Sequence, residues 1–145
     1  MAFSSVHEMI DLCKESGKPL YEVILESDLA ESGLTRAESE AEMHRLWAVM
    51  QATSDGYCGA DRSMSGFAGG DAAKVNAAAA RGALYADGYF ADVMAEALKT
   101  AECNACMKRI VAAPTAGSCG VLPAVLLPLA RSGEADEESI CDALY

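Results

Sequence analysis

From Ile110 to Ala130 the chain carries no charged residue; Arg109 and Arg131 bound the run. It is long enough to cross a bilayer. Pro114, Thr115, Gly117, Ser118, Gly120, Pro123 and Pro128 interrupt it, however. That pattern predicts a loop of small residues followed by a buried apolar helix, around which the remaining elements must pack. The transition reads "AAPTAGSCGVLP", Ala112 to Pro123. A string of Thr, Ala, Gly, Ser, Cys and Gly at the mouth of an apolar segment calls for a physical reason.

Elsewhere the apolar residues recur at helical spacing. Val6, Met9, Ile10 and Cys13 define a first helix, with Ser4 or Ser5 to cap its start and Gly17 its end. A second follows, with Pro19 in its first turn and Gly33 as its stop. Thr35 to Glu38 has the form of a capping box and opens a long helix with Leu46, Trp47 and Met50 on its buried stripe. From about Asp55 the period is lost in "SDGYCGADRSMSGFAGGD", a long loop of the kind that often carries function. Helices resume at Asp71, ending near Gly82, and at Asp87, the latter running through "CNACMKRI". After the apolar helix, Asp136 caps a last helix whose apolar stripe begins with Ile140, Ala143 and Leu144. That stripe is cut short, so truncation of a longer protein is favoured over a frayed terminus docking on the core; were the chain a non-catalytic module instead, its apolar end would pair with another chain and bury Ile140 and Leu144. The fold expected is all-α, a single compact domain of about six or seven helices.

With 145 residues, 52% hydrophobic residues and 4 prolines, a substantial core is within reach, built largely from Ala and Met. A net charge of -11 disfavours nucleic acid and anionic membrane as partners. The N-terminus has no apolar signal region, which points to a cytoplasmic chain with its 6 cysteines reduced. Cys103 and Cys106 suggest a metal pair, with Cys119 further along. Their spacing falls within a helical pattern, though, and no fourth Cys or His follows at a ligand-like distance. Packing is the favoured reading and no metal ligand is assigned. His7 and His44, and the carboxylates Glu40 and Glu42, sit on charged helical faces. Lys74 lacks the surroundings of a pyridoxal-phosphate lysine.

Two small-residue loops are better candidates. In "PTAGSCG", Gly117 and Gly120 let the backbone approach a ligand, while Thr115 and Ser118 offer hydroxyls. A helix beginning after Gly120 would aim its first N–H groups at a carboxylate or phosphate. "SGFAGGD" repeats the arrangement ahead of a helix starting at Asp71. A tight turn with a Ser or Thr cap is the plainer alternative for either. Two such loops in one small helical domain favour a shared ligand pocket.

These stretches carry a resemblance. "SGFAGGDAAKV", "ECNACMKRIVAAPTAGSCGVLPAVLL" and, more loosely, "VHEMIDLCKESGKPLYEVIL" resemble the α chain or α domain of bacterial iron-sulfur-dependent L-serine dehydratases. The resemblance covers residues 1–145 and corresponds to roughly the first half of that domain. It implies a lyase of amino-acid catabolism and gluconeogenesis that converts L-serine to pyruvate and ammonia with a 4Fe-4S cluster and without pyridoxal phosphate. In that chemistry an iron acts as Lewis acid on the β-hydroxyl while a base takes the α-proton. Carried over by motif, a substrate-binding role falls on Ser65, Gly69, Gly70, Asp71, Asn104, Thr115, Gly117, Ser118 and Gly120. The resemblance puts the cluster cysteines beyond Tyr145, so the fragment by itself is expected to be inactive. Its implied partners are L-serine, the C-terminal half of the α domain, and a β chain or β domain within an oligomer. The competing expectation is a non-catalytic helical module for assembly or small-anion binding.

Overall fold

The computed structural model describes residues 3–85 and 88–145. Among them are seven α-helices, one 3-10 turn and no strand: α1 (Val6–Ser16), α2 (Leu20–Ser32), α3 (Arg36–Asp55), α4 (Asp71–Ala80), α5 (Gly88–Ala105), η1 (Ala116–Ser118), α6 (Val121–Ser132) and α7 (Glu137–Asp142). The all-α expectation therefore holds. The chain clusters into two compact units, Met1–Arg45 with Asp136–Tyr145, and Leu46–Ala135.

In the first unit the helix ends follow local chemistry. The Ser5 hydroxyl accepts from Glu8 N–H, and Gly17 and Gly33 close α1 and α2 at φ 68 and 72, a region that costs glycine nothing. Pro19 is the cap of α2 rather than a first-turn residue. The capping box is present: Thr35 N–H donates to Glu38 Oε2 at 2.8 Å, and Glu38 N–H to Thr35 Oγ1 at 3.3 Å. Asp136 accepts from Ser139 N–H at 2.9 Å to start α7. The α7 segment then ties itself to α3: Glu137 Oε1 lies 3.2 Å from His44 Nδ1, Cys141 Sγ 3.4 Å from the same nitrogen, and the Tyr145 and Ser39 hydroxyls are 2.9 Å apart. Ile140 is only 1% exposed. The expectation that Ile140 waits for a second chain is thus corrected, because its own chain already covers it; Leu144 is half-buried.

In the second unit α5 is central, packed on one side by α4 and on another by α6. Alanines at the contacts, with Ala72, Ala91, Ala95 and Ala124 all buried, let these helices approach closely. The apolar helix behaves as expected, burying Pro123, Ala124, Leu126, Leu127 and Pro128. No helix among the described residues is long and apolar enough to cross a membrane. The α5 start expected at Asp87 lies outside the described residues. The helix ends earlier than expected, at Ala105, because Met107 adopts φ 60 while Lys108 N–H reaches back to Cys103 O at 2.9 Å. This is a helix-terminating turn of the Schellman kind, with methionine where glycine is usual.

Candidate functional site

The loop between α3 and α4 is held by its own backbone. Ser63 N–H donates to Ala68 O at 2.9 Å, Gly66 N–H to Ser63 O at 2.8 Å, and Ala68 N–H to Ser63 Oγ at 3.1 Å. Arg62 donates to the carbonyls of Gly59 and Asp61 at 2.8 and 2.6 Å. Gly69 and Gly70 lie at φ 129 and 87; a Cβ on Gly69 would overlap the Asp61 carbonyl oxygen, and one on Gly70 would come within 2.9 Å of Gly59 O. These two glycines are accounted for by the fold of the loop itself. Ser65 remains exposed, its hydroxyl 3.1 Å from that of Ser63.

The loop ends on Glu102, a residue that sequence reasoning passed over. Glu102 is 6% exposed, on the last turn of α5. Its Oε1 accepts from Asp71 N–H at 2.6 Å and Ala72 N–H at 3.2 Å. Its Oε2 accepts from Gly70 N–H at 2.9 Å and the Tyr57 hydroxyl at 2.6 Å. Gly70 has no side chain with which to cap α4, and the carboxylate of another helix does so instead. Burial, reinforced by the bond to Glu102, pushes the Tyr57 hydroxyl up to about 12, so it stays a neutral donor at ordinary pH. The expectation that this helix start offers free amides is corrected for Gly70 and Asp71: their N–H groups are already taken. The only available signal was a lone Glu opening "ECNA", and nothing local distinguishes it from a surface carboxylate.

Asn104, two residues further along α5, holds the other loop: its Nδ2 donates to Ala116 O at 2.9 Å. After a cis Ala113–Pro114 peptide, Thr115 caps η1, its Oγ1 accepting from Ser118 N–H at 3.3 Å and lying 2.9 Å from Ser118 Oγ. Thr115 and Gly117 are exposed and Ser118 is half-buried. Gly120 caps α6 without a side chain, and among the described residues no carboxylate takes its place as Glu102 does at α4. With Pro123 lacking an N–H, the first-turn amides left to α6 are few and open. Both loops are thus tied to the last turn of α5, one through Glu102 and one through Asn104. The start of α4 meets Glu102 there, whereas the start of α6 packs further back, against Ala97.

All six cysteines are free thiols. Cys103 and Cys119 are each 3% exposed, and burial raises both thiols. The Cys103 thiol donates to Thr53 O at 3.8 Å. Among the described residues no three His, Cys, Asp or Glu side chains are grouped to hold a metal ion. Cys58, Cys103 and Cys106 line one small pocket with Asp61 and Glu102.

The fold and site define a helical scaffold that presents two glycine-rich loops at one helix end. A family model for the serine dehydratase alpha chain matches residues 15–145, and the chain belongs to that family. It is 32% identical over 138 residues to the L-serine dehydratase, alpha chain, of Peptoniphilus asaccharolyticus, covering 94% of this chain and 47% of that one. It is 29% identical over 143 residues to the probable L-serine dehydratase, alpha chain, of Bacillus subtilis (strain 168), covering 99% and 48%. The chain spans about half the length of these curated relatives. No solved structure matches it.

Proposed function

We propose that this chain supplies the substrate-binding loops of a cytoplasmic lyase that dehydrates and deaminates L-serine to pyruvate and ammonia. The observation that supports the reading is that α5 ties down both motif loops, through Glu102 and Asn104, while leaving the Thr115–Ser118 turn exposed or half-buried. In this reading the serine carboxylate lies at the Thr115–Ser118 turn and the open start of α6. The two hydroxyls and the first-turn amides are its donors, and the buried helix behind holds them in place. Ser65 adds an exposed hydroxyl from the first loop. Gly69, Gly70 and Asp71 act through the backbone path they impose, since Glu102 takes two of their amides. The 4Fe-4S cluster belongs to the same proposal, with ligands beyond Tyr145, where it would supply the Lewis acid for loss of the hydroxyl. So does assembly with a β chain. Val121 and Val125, one turn apart and exposed on α6, offer apolar surface for such a partner.

Ser118→Ala in the assembled dehydratase tests the carboxylate cradle. The Thr115 cap survives this change, so stability is expected to hold. One lost hydrogen bond to a charged group costs about 1.5–3 kcal/mol, a fall in kcat/KM for L-serine of about ten- to a hundred-fold. Intact turnover with a melting temperature lower by several degrees would assign Ser118 to the turn alone.

A further inference from the structure

We propose that Glu102 is a positioning residue, the built-in counter-anion of α4 that fixes the loop of residues 57–70 onto α5. Its bearing on turnover rests on the dehydratase reading; the contact itself does not. A carboxylate has about four lone-pair directions, and here the amides of Gly70, Asp71 and Ala72 and the Tyr57 hydroxyl fill all four. No cation among the described residues shares in this. Lys108 pairs with Asp61, and Arg62 turns to backbone carbonyls. The buried negative charge of Glu102 is therefore balanced by the α4 N-terminus itself. An ordinary cap comes from the residue just before its helix and fixes only that turn. This one reaches α4 from α5, so it sets where the whole preceding loop lies. A substrate carboxylate seeking the α4 amides would have to expel a saturated, buried carboxylate.

Glu102→Ala deletes a set of atoms equal to acetate, so acetate is the probe. Amide hydrogen exchange is measured on the 145-residue chain, and L-serine turnover on the assembled enzyme. In Glu102→Ala the amides of Gly70, Asp71 and Ala72 are expected to exchange at least ten times faster. Acetate restores their protection with increasing dose, and sodium chloride at equal ionic strength does not. Turnover is expected to fall about a hundred-fold in kcat/KM and to recover in part with acetate, which in the parent enzyme is inert or inhibitory. Unchanged exchange at the three amides, or acetate no better than chloride, would overturn the assignment. Should Glu102→Ala fail to fold, Glu102→Gln decides: its one carbonyl oxygen can still serve Asp71 and Ala72, so Gly70 alone is expected to lose protection. Equal protection at all three amides in that variant would count against the proposal. If the parent assembly does not turn over L-serine, the dehydratase reading falls, while the exchange pattern still decides what Glu102 does.

Discussion

Gly120 and Gly117 sit three residues apart in the same loop, both candidates for ligand contact, and the structure separates them by what a methyl group would meet. Gly120 lies at φ -80 and ψ -13, open to any residue, so its smallness answers to space. A Cβ there would come 2.8 Å from Ala97 O and 3.4 Å from Ala97 Cα on α5. Carbon–oxygen contacts between packed helices settle at about 3.3–3.6 Å. Gly120→Ala must therefore push the start of α6 away from α5 by roughly half an ångström. Overpacking of this kind costs about 1–3 kcal/mol, and the stiffer unfolded chain offsets about 0.4–1 kcal/mol of it. The net loss of about 1–2 kcal/mol lowers the melting temperature by roughly 3–8 °C for a chain of this length. At Gly117 the nearest atom to a new Cβ is Thr115 Oγ1 at 3.9 Å, so only the stiffer unfolded chain counts and Gly117→Ala is expected to melt at or slightly above the parent. Thermal melts followed by helical circular dichroism test both. A parent-like melt for Gly120→Ala together with a lowered one for Gly117→Ala would refute the steric argument. In the assembled enzyme the roles reverse: if the Thr115–Ser118 turn holds the substrate carboxylate as proposed, Gly117→Ala is expected to lower kcat/KM without lowering stability.

Two further predictions concern pH. The Tyr57 hydroxyl, raised from 10.0 to about 12, gives stability that is full below pH 10 and is lost as pH rises towards 12. Tyr57→Phe should flatten that alkaline loss by about 2–3 kcal/mol in denaturant melts at pH 9 and 12; an unchanged slope would refute it. Glu96, 2% exposed, pairs with Lys99 at 2.7 Å and Arg131 at 2.5 Å. Burial works against its ionisation, but Lys99, the Ser54 hydroxyl and Arg131 together outweigh it and hold the carboxyl below its usual range. Its contribution is present above the ordinary carboxylate pKa and lost as pH falls through the lowered one. Glu96→Gln should therefore flatten the acid limb and cost about 2–3 kcal/mol at neutral pH, less than a fully buried pair because the Arg131 side chain is 48% exposed. A variant as stable as the parent at pH 7 would argue against a paired Glu96.

What the sequence made legible follows from the range of the physics involved. The ends at Gly17 and Gly33, the Thr35–Glu38 box and the Asp136 cap are fixed by atoms within a few residues, and each was readable in order along the chain. The end of α5 was not, since Met107 takes a left-handed conformation with no glycine to announce it. Nor was the cover over Ile140, which depends on α7 meeting α3. The two glycine-rich loops show the same limit in the candidate site. Read locally, "SGFAGGD" and "PTAGSCG" are alike: small residues, a hydroxyl, then a helix start, and hence one expected role for both. The difference lies in a single long-range contact. Glu102 brings a carboxylate to the first helix start from 31 residues beyond Asp71, and among the described residues none comes to the second. The amides of Gly70 and Asp71 are thereby taken up within the chain, which no reading of the loop's own residues could show.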